Sequence, residues 1–214
     1  LSASYSLTKM LWIRDHQPDI YRATYKFMHA KDSMVARLTG RFVTEPSDAS
    51  SMNLYDLDSG AWSAPIIQAA GLDADKLPEI VPSTAVVGGV LPQVAEEVGV
   101  AAGTPVVAGG GDGSCAAVGA GVVAEGSAYN YVGSSSWIAI ASPKPIYDPQ
   151  LKTFTFAHLV PGMMMPTGTM QAAGASYQWA RDQLGVLEVE AAQSLKVSAY
   201  ELMNLSADTS VPGA

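Results

Sequence analysis

A single cysteine, Cys115, in 214 residues excludes an internal disulfide framework and a cysteine-based zinc site, and His16, His29 and His158 are scattered along the chain. A reducing, cytoplasmic setting is expected, and no metal ligand set is read from the residues. Basic side chains are also scarce. Twelve Lys and Arg against 20 Asp and Glu leave a formal charge of −8, and the twelve form no run. The electrostatic footprint of a nucleic-acid binder, or of a protein held on an anionic membrane, is therefore missing. No apolar stretch approaches the roughly 20 residues of a membrane span, and LSASYSLTKMLWIRDH lacks the basic start and unbroken apolar core of a signal peptide. The expected partner is a small molecule or another protein.

What remains is an ordinary globular composition, 48% hydrophobic and 15% charged, in a length suited to one large domain or two small ones. Internal repeats, low-complexity tracts and heptads are absent. A start without Met and an end at the turn-like SADTSVPGA suggest a piece of a longer protein.

The first half reads as helical. Residues 7–16, 31–39, 63–72 and 91–100 carry apolar residues at helical spacing, and the last three are followed or ended by glycine. Ser47 or Asp48 offers an N-cap in PSDASSM. From about residue 103 the texture changes. TPVVAGG suits a short buried parallel strand, SCAAVGAG a small-residue helix against a sheet, and residues 126–142 a β-hairpin. FTFAHLV and MMMPTGTM read as strands, 172–185 as a helix, and 190–205 as a last helix. A domain boundary is placed near residue 126, giving parts 1–125 and 126–214.

Three stretches carry possible chemistry. Gly111-x-Gly113-x-x-Ala116 follows a strand and opens a helix, as in a dinucleotide turn, but no acid stands about 20 residues on to hold a ribose. A P-loop is excluded because no Lys-Ser or Lys-Thr pair follows the glycines. Asp112 at the end of a strand also suits a general base, with glycines clearing space for a substrate. An Asp at a helix start equally serves as an N-cap, and on this segment alone both readings stand. The turn Gly133, Ser134, Ser135, Ser136 offers backbone N–H groups and hydroxyls to phosphate oxygens, or is simply a polar turn. Gly174 and Gln178 share a helix face, where a flat ligand could reach the backbone and the amide could bond it; a packing glycine beside a solvated glutamine is the plainer reading.

Five ordered blocks, SYSLTKMLWIRDH, AKDSMVARLTGRFVTEPSDAS, PVVAGGGDGSCAAVGAG, YVGSSSWIAI and AGASYQWARDQLG, resemble the FGGY carbohydrate kinases, most closely their xylulokinase branch. The resemblance covers roughly residues 1–190. It implies an α/β, actin-like and ribonuclease-H-like ATPase fold, incomplete at both ends, in which ATP with Mg²⁺ phosphorylates a sugar or polyol hydroxyl. By similarity Asp112 matches the catalytic base and a sugar ligand. Gly133 and Ser134, with Ser135 beside them, match the hairpin that contacts ATP phosphates, and Gly174 and Gln178 match residues lining the nucleotide site. Homodimers are frequent among such proteins.

Two positions depart from the pattern. Gly113 stands where relatives often carry Asn or Gln on the sugar, and Ser4 stands where some carry a substrate-binding tyrosine. The N-terminal Asp-x-Gly-Thr phosphate loop and the C-terminal glycine-rich adenosine segment have no counterpart in these residues, so the chain alone is expected to be inactive. The leading expectation is a pentulose kinase, xylulose first. An NAD-dependent oxidoreductase and a non-catalytic actin-like module are the alternatives.

Overall fold

A computed structural model describes residues 3–211. In chain order the elements begin with α1 (Ser6–His16), α2 (Pro18–Ala23), α3 (Ala30–Thr39), β1 (Val43–Thr44), α4 (Pro46–Ser50), β2 (Tyr55–Asp56), β3 (Ala61–Trp62) and α5 (Ala64–Ala70). After one 3₁₀ turn at Ala74–Lys76 come β4 (Glu79–Ile80), β5 (Val86–Gly89), α6 (Pro92–Val98), β6 (Pro105–Val107) and α7 (Asp112–Gly119). Strands β7 (Ala128–Val132), β8 (Ser136–Ile140), β9 (Thr153–Ala157) and β10 (Met164–Met170) precede α8 (Gly174–Gln183), α9 (Val186–Leu195) and α10 (Ala199–Ala207).

The chain divides into two compact units. One holds residues up to Tyr129 together with Ala139–Thr167, and the other holds Asn130–Ile138 and the residues from Gly168 on. A four-stranded sheet has the strand order β7-β8-β10-β9.

In the larger unit, Leu7 and Met10 of α1 meet Met52, Leu54, Ile67 and Leu77 in one core cluster. A second cluster joins Val35 of α3 to Val43, Val87 and Ala108, so the residue that follows β6 is fixed in the interior. Helices α3, α5 and α6 stop where glycines take the left-handed conformation, Gly40 at φ 74°, Gly71 at 62° and Gly99 at 73°.

Two expectations change. Strand β6 pairs antiparallel with β5, Val86 opposite Val107, and is half exposed, not a buried parallel strand. The intervening 15 or so residues carry only α6, a two-turn helix, and bring the chain back beside β5 in the opposite sense. The last predicted helix is two, because Lys196 adopts φ 58° after α9 and the Ser198 hydroxyl caps α10 by accepting from Tyr200 N–H.

In the smaller unit, α8 and α10 meet through the Tyr177 hydroxyl, which donates to Asn204 Oδ1 at 2.7 Å, and through the Tyr177 and Tyr200 rings, 5.1 Å apart.

Candidate active site

The loop after β6 turns on its glycines. Ala108 is buried, Gly109 has φ 77°, and Gly111 is the extended residue from which α7 starts. A side chain at Gly110 would run into Leu159, and one at Gly111 would stand 3.2 Å from Asp48 Oδ1 and 3.4 Å from Ser47 Oγ. The glycine run is thus dictated by close packing on its inner side.

Asp112 is exposed and is the first residue of α7, not its N-cap. Among the described residues its one hydrogen bond is from the adjacent Gly113 N–H to Oδ1, at 2.7 Å. An N-cap would reach the second or third N–H of the helix. The Asp112 carboxylate therefore stands at the helix N-terminus without that duty. Gly113 accepts on its carbonyl from the Tyr129 hydroxyl at 3.4 Å. Burial, and then the charge of Asp112, push the Tyr129 hydroxyl above its ordinary range and keep it a neutral donor.

Behind this loop lies a polar layer that sequence reasoning did not find. The N-cap of α4 is Glu45, not Ser47 or Asp48. Its carboxylate is fully buried and takes four donors: Ser47 N–H at 2.9 Å, Ser47 Oγ at 2.6 Å, Asp48 N–H at 2.9 Å and Ser83 Oγ at 2.7 Å. Propensity favours Ser and Asp at this position, and only the fold reveals that a longer acid reaches back over Pro46. Ser47 Oγ in turn accepts Gly111 N–H at 2.9 Å.

Alongside, Lys31 Nζ donates to buried Asp32 at 2.6 Å and to the Ala108 carbonyl at 3.2 Å, and sits 3.4 Å from Asp48. Burial opposes the Asp48 charge, but the hydrogen bond from His29 and the charges of Lys31 and His29 prevail and hold its carboxyl below the usual range. His29, Asp32 and Asp48 bring ligand-type atoms within 4.8 Å of one another. Lys31 already neutralises both carboxylates from inside that cluster.

In the smaller unit the sequence-predicted nucleotide residues do come together. Gly174 N–H donates to the Gly133 carbonyl at 2.9 Å, while Ala173 and Ala175 N–H donate to the Ser134 carbonyl at 2.8 and 3.2 Å. The start of α8 is thereby seated on the β7–β8 turn. The Gly133 carbonyl occupies the space over Gly174, so its missing side chain serves this backbone contact. Ser134 and Ser135 are exposed at the turn, and Gln178 is exposed one helical turn into α8. Gly133 N–H is spent on the Ser135 carbonyl at 2.8 Å. Ser4 lies in an exposed turn just before α1. A concavity of about 470 Å³ along α1 is lined by Lys9 and Trp12 but not by Asp112.

Residues 1–119 match the description "FGGY family of carbohydrate kinases, N-terminal domain". An autoinducer-2 kinase of Yersinia enterocolitica is 33% identical over 199 residues, covering 92% of this chain and 37% of that protein. The xylulose kinase of Rhodospirillum rubrum superimposes over 99% of this chain and 42% of its own with a TM-score of 0.87 and 27% identity. That of Bifidobacterium adolescentis does so over 99% and 44%, with a TM-score of 0.76 and 25% identity. The fold is accordingly the actin-like ATPase fold of sugar kinases, represented in part. The chain spans 37% of the length of the curated relatives it matches. No helix among the described residues is long and apolar enough to cross a membrane.

Proposed function

The chain belongs to the FGGY family of carbohydrate kinases, and from that premise we propose that it serves ATP-dependent phosphorylation of a sugar or polyol hydroxyl, with Asp112 as the general base. The observation that carries this reading is the exposed Asp112 carboxylate, bonded among the described residues only to its neighbouring amide and standing on a loop fixed from behind. In the step, the substrate hydroxyl gives its proton to Asp112 as its oxygen bonds to the γ-phosphorus of ATP. The bond from that phosphorus to the β-bridging oxygen breaks, and ADP leaves. Gly113 and Ser4 lie on the sugar side of this assignment. Gly133, Ser134, Ser135, Gly174 and Gln178 lie on the ATP side, where the turn and the N-terminus of α8 suit phosphate oxygens. The division at residue 126 between a sugar-binding part, 1–125, and an ATP-binding part, 126–214, is part of the same proposal.

The family also implies Mg²⁺, and the residues present do not fit it. The one three-residue cluster of ligand type among the described residues is His29, Asp32 and Asp48, and the Lys31 ammonium holds its carboxylates. The turn after β6 also lacks the setting of a dinucleotide site, because β6 pairs antiparallel with β5 and no ribose-binding acid follows.

Xylulose is the leading substrate, in line with the structural neighbours. Autoinducer-2 is the second reading, favoured by 33% identity with an autoinducer-2 kinase over 92% of the chain. Full-length enzyme assayed with ATP against xylulose, autoinducer-2, gluconate and glycerol separates them. Asp112→Asn is expected to lower turnover by at least about a hundredfold, the scale of positioned general-base catalysis. Unchanged turnover, or tight binding of NAD without ATP, sinks the reading.

A further inference from the structure

Ser47 Oγ bridges the Glu45 carboxylate and the backbone of Gly111, a residue 64 positions further along the chain than Ser47. It donates to the buried Glu45 carboxylate at 2.6 Å and accepts the N–H of Gly111, the residue before Asp112, at 2.9 Å. The direction of this relay is set by chemistry. A backbone N–H can only donate, so Ser47 Oγ turns a lone pair to Gly111 and gives its own proton to Glu45 Oε1. Glu45 itself is immobilised by three further donors, the N–H groups of Ser47 and Asp48 and the hydroxyl of Ser83.

We propose that Glu45 and Ser47 are positioning residues for Asp112. They hold the residue from which α7 starts and so set where the carboxylate stands. This inference rests on the reading of Asp112 as the base. Ser47 holds the loop at Gly111, Lys31 holds it at the Ala108 carbonyl, and Leu159 closes on Gly110 between them. The glycines that permit so close an approach leave the loop with no side chains of its own to stiffen it, which is why its geometry depends on outside anchors.

A misplacement of about 1 Å can cost on the order of a hundredfold in rate. Removing one anchor of several should cost about tenfold. Ser47→Ala in the full-length enzyme is therefore expected to lower kcat about tenfold, with KM for sugar and for ATP changed by less than about twofold. Ser83→Ala is the matched control. It also removes one hydroxyl from Glu45, but the Ser83 backbone carbonyl keeps its bond from Gly109 N–H and Ser47 keeps Gly111. Glu45 also keeps three of its four donors, so kcat should fall much less than in Ser47→Ala. Hydrogen exchange read on the 214-residue chain should show the Gly111 amide about tenfold faster in Ser47→Ala and unaltered in Ser83→Ala. Equal losses of kcat in the two variants, or a Gly111 amide indifferent to Ser47→Ala, overturn the proposal. Asp112→Asn measured beside them separates the two claims: if it keeps turnover, the base assignment fails and this proposal with it. If it loses turnover while Ser47→Ala does not, only the positioning role fails.

Discussion

Gly174→Ala sets two effects of opposite sign against each other at one atom. A Cβ on Gly174 would fall inside van der Waals contact of the Gly133 carbonyl oxygen and 3.2 Å from its carbon. Both blocking atoms are backbone, and they are tied down by the bonds from Ala173, Gly174 and Ala175 N–H to the turn. Relief requires the start of α8 and the turn to part, and overpacking of this kind costs about 1–3 kcal/mol. Alanine's helix advantage over glycine returns at most about 1 kcal/mol, and less at a first helical position, so a net loss of about 1–2 kcal/mol is expected. Gly119 makes the converse case. It ends α7 with nothing within 4 Å of a built Cβ and without a positive φ, so Gly119→Ala should gain about 0.4–1 kcal/mol. Urea unfolding followed by the emission of Trp137 and Trp179, in a Trp12→Phe, Trp62→Phe background, reports the smaller unit; the same experiment with the pair reversed reports the larger. A Gly174→Ala midpoint at or above that of the parent chain would refute the reasoning, because then the close approach at Gly133 costs nothing.

Glu45→Gln should destabilise the chain by roughly 1–3 kcal/mol in urea, since each carboxylate oxygen accepts one backbone N–H and either amide orientation turns its NH₂ toward Ser47 or Asp48 N–H; an unchanged midpoint contradicts this. His158 predicts a pH dependence. Burial pushes its pKa below the ordinary 6.5, partly offset by the Val122 carbonyl, while Val160 N–H donates to Nδ1 at 2.9 Å and keeps that nitrogen unprotonated. The unfolded chain then binds the proton first, so this contribution to stability is intact above about pH 6.5 and is lost as pH falls toward the folded value, at up to about 1.4 kcal/mol per pH unit. Urea midpoints of the parent and of His158→Gln should converge on the acid side of that window, and parallel curves would contradict the assignment.

The elements legible in the sequence are those whose causes are local. Helices α1, α3, α5 and α6 combine apolar spacing, with three of them closed by a glycine in the left-handed region, and the β7–β8 hairpin announces itself by alternation about a serine-rich turn. What escaped is what depends on distant partners. Strands β1 and β4 are two residues each and exist because Val43 pairs with Glu79 and Thr44 with Ile80. The antiparallel sense of β6 is decided by β5, some 20 residues earlier, and an apolar run such as PVV is equally compatible with either sense. The break between α9 and α10 falls at Lys196, a residue type that carries no stop signal of its own.

The site divides along the same line. Asp112 and the 133–135 turn stood out because glycine and serine are informative in themselves, yet the sequence left Asp112 as either a cap or a base. The structure removes the cap: the N-cap of α7 is Gly111, and among the described residues Asp112, as the first residue of the helix, accepts only Gly113 N–H, which is compatible with the proposed base role. The capping work on this side of the fold falls instead to Glu45, whose carboxylate is wholly enclosed by donors and which therefore has no free lone pair facing solvent with which to do acid–base chemistry. Two acids at two helix starts thus divide the labour by burial. The enclosed one fixes the loop through Ser47, and the exposed one is left available at the loop's end. That division also accounts for the glycines before Asp112 better than substrate clearance alone does, since Leu159, Asp48 and Ser47 already crowd Gly110 and Gly111 in the absence of any ligand.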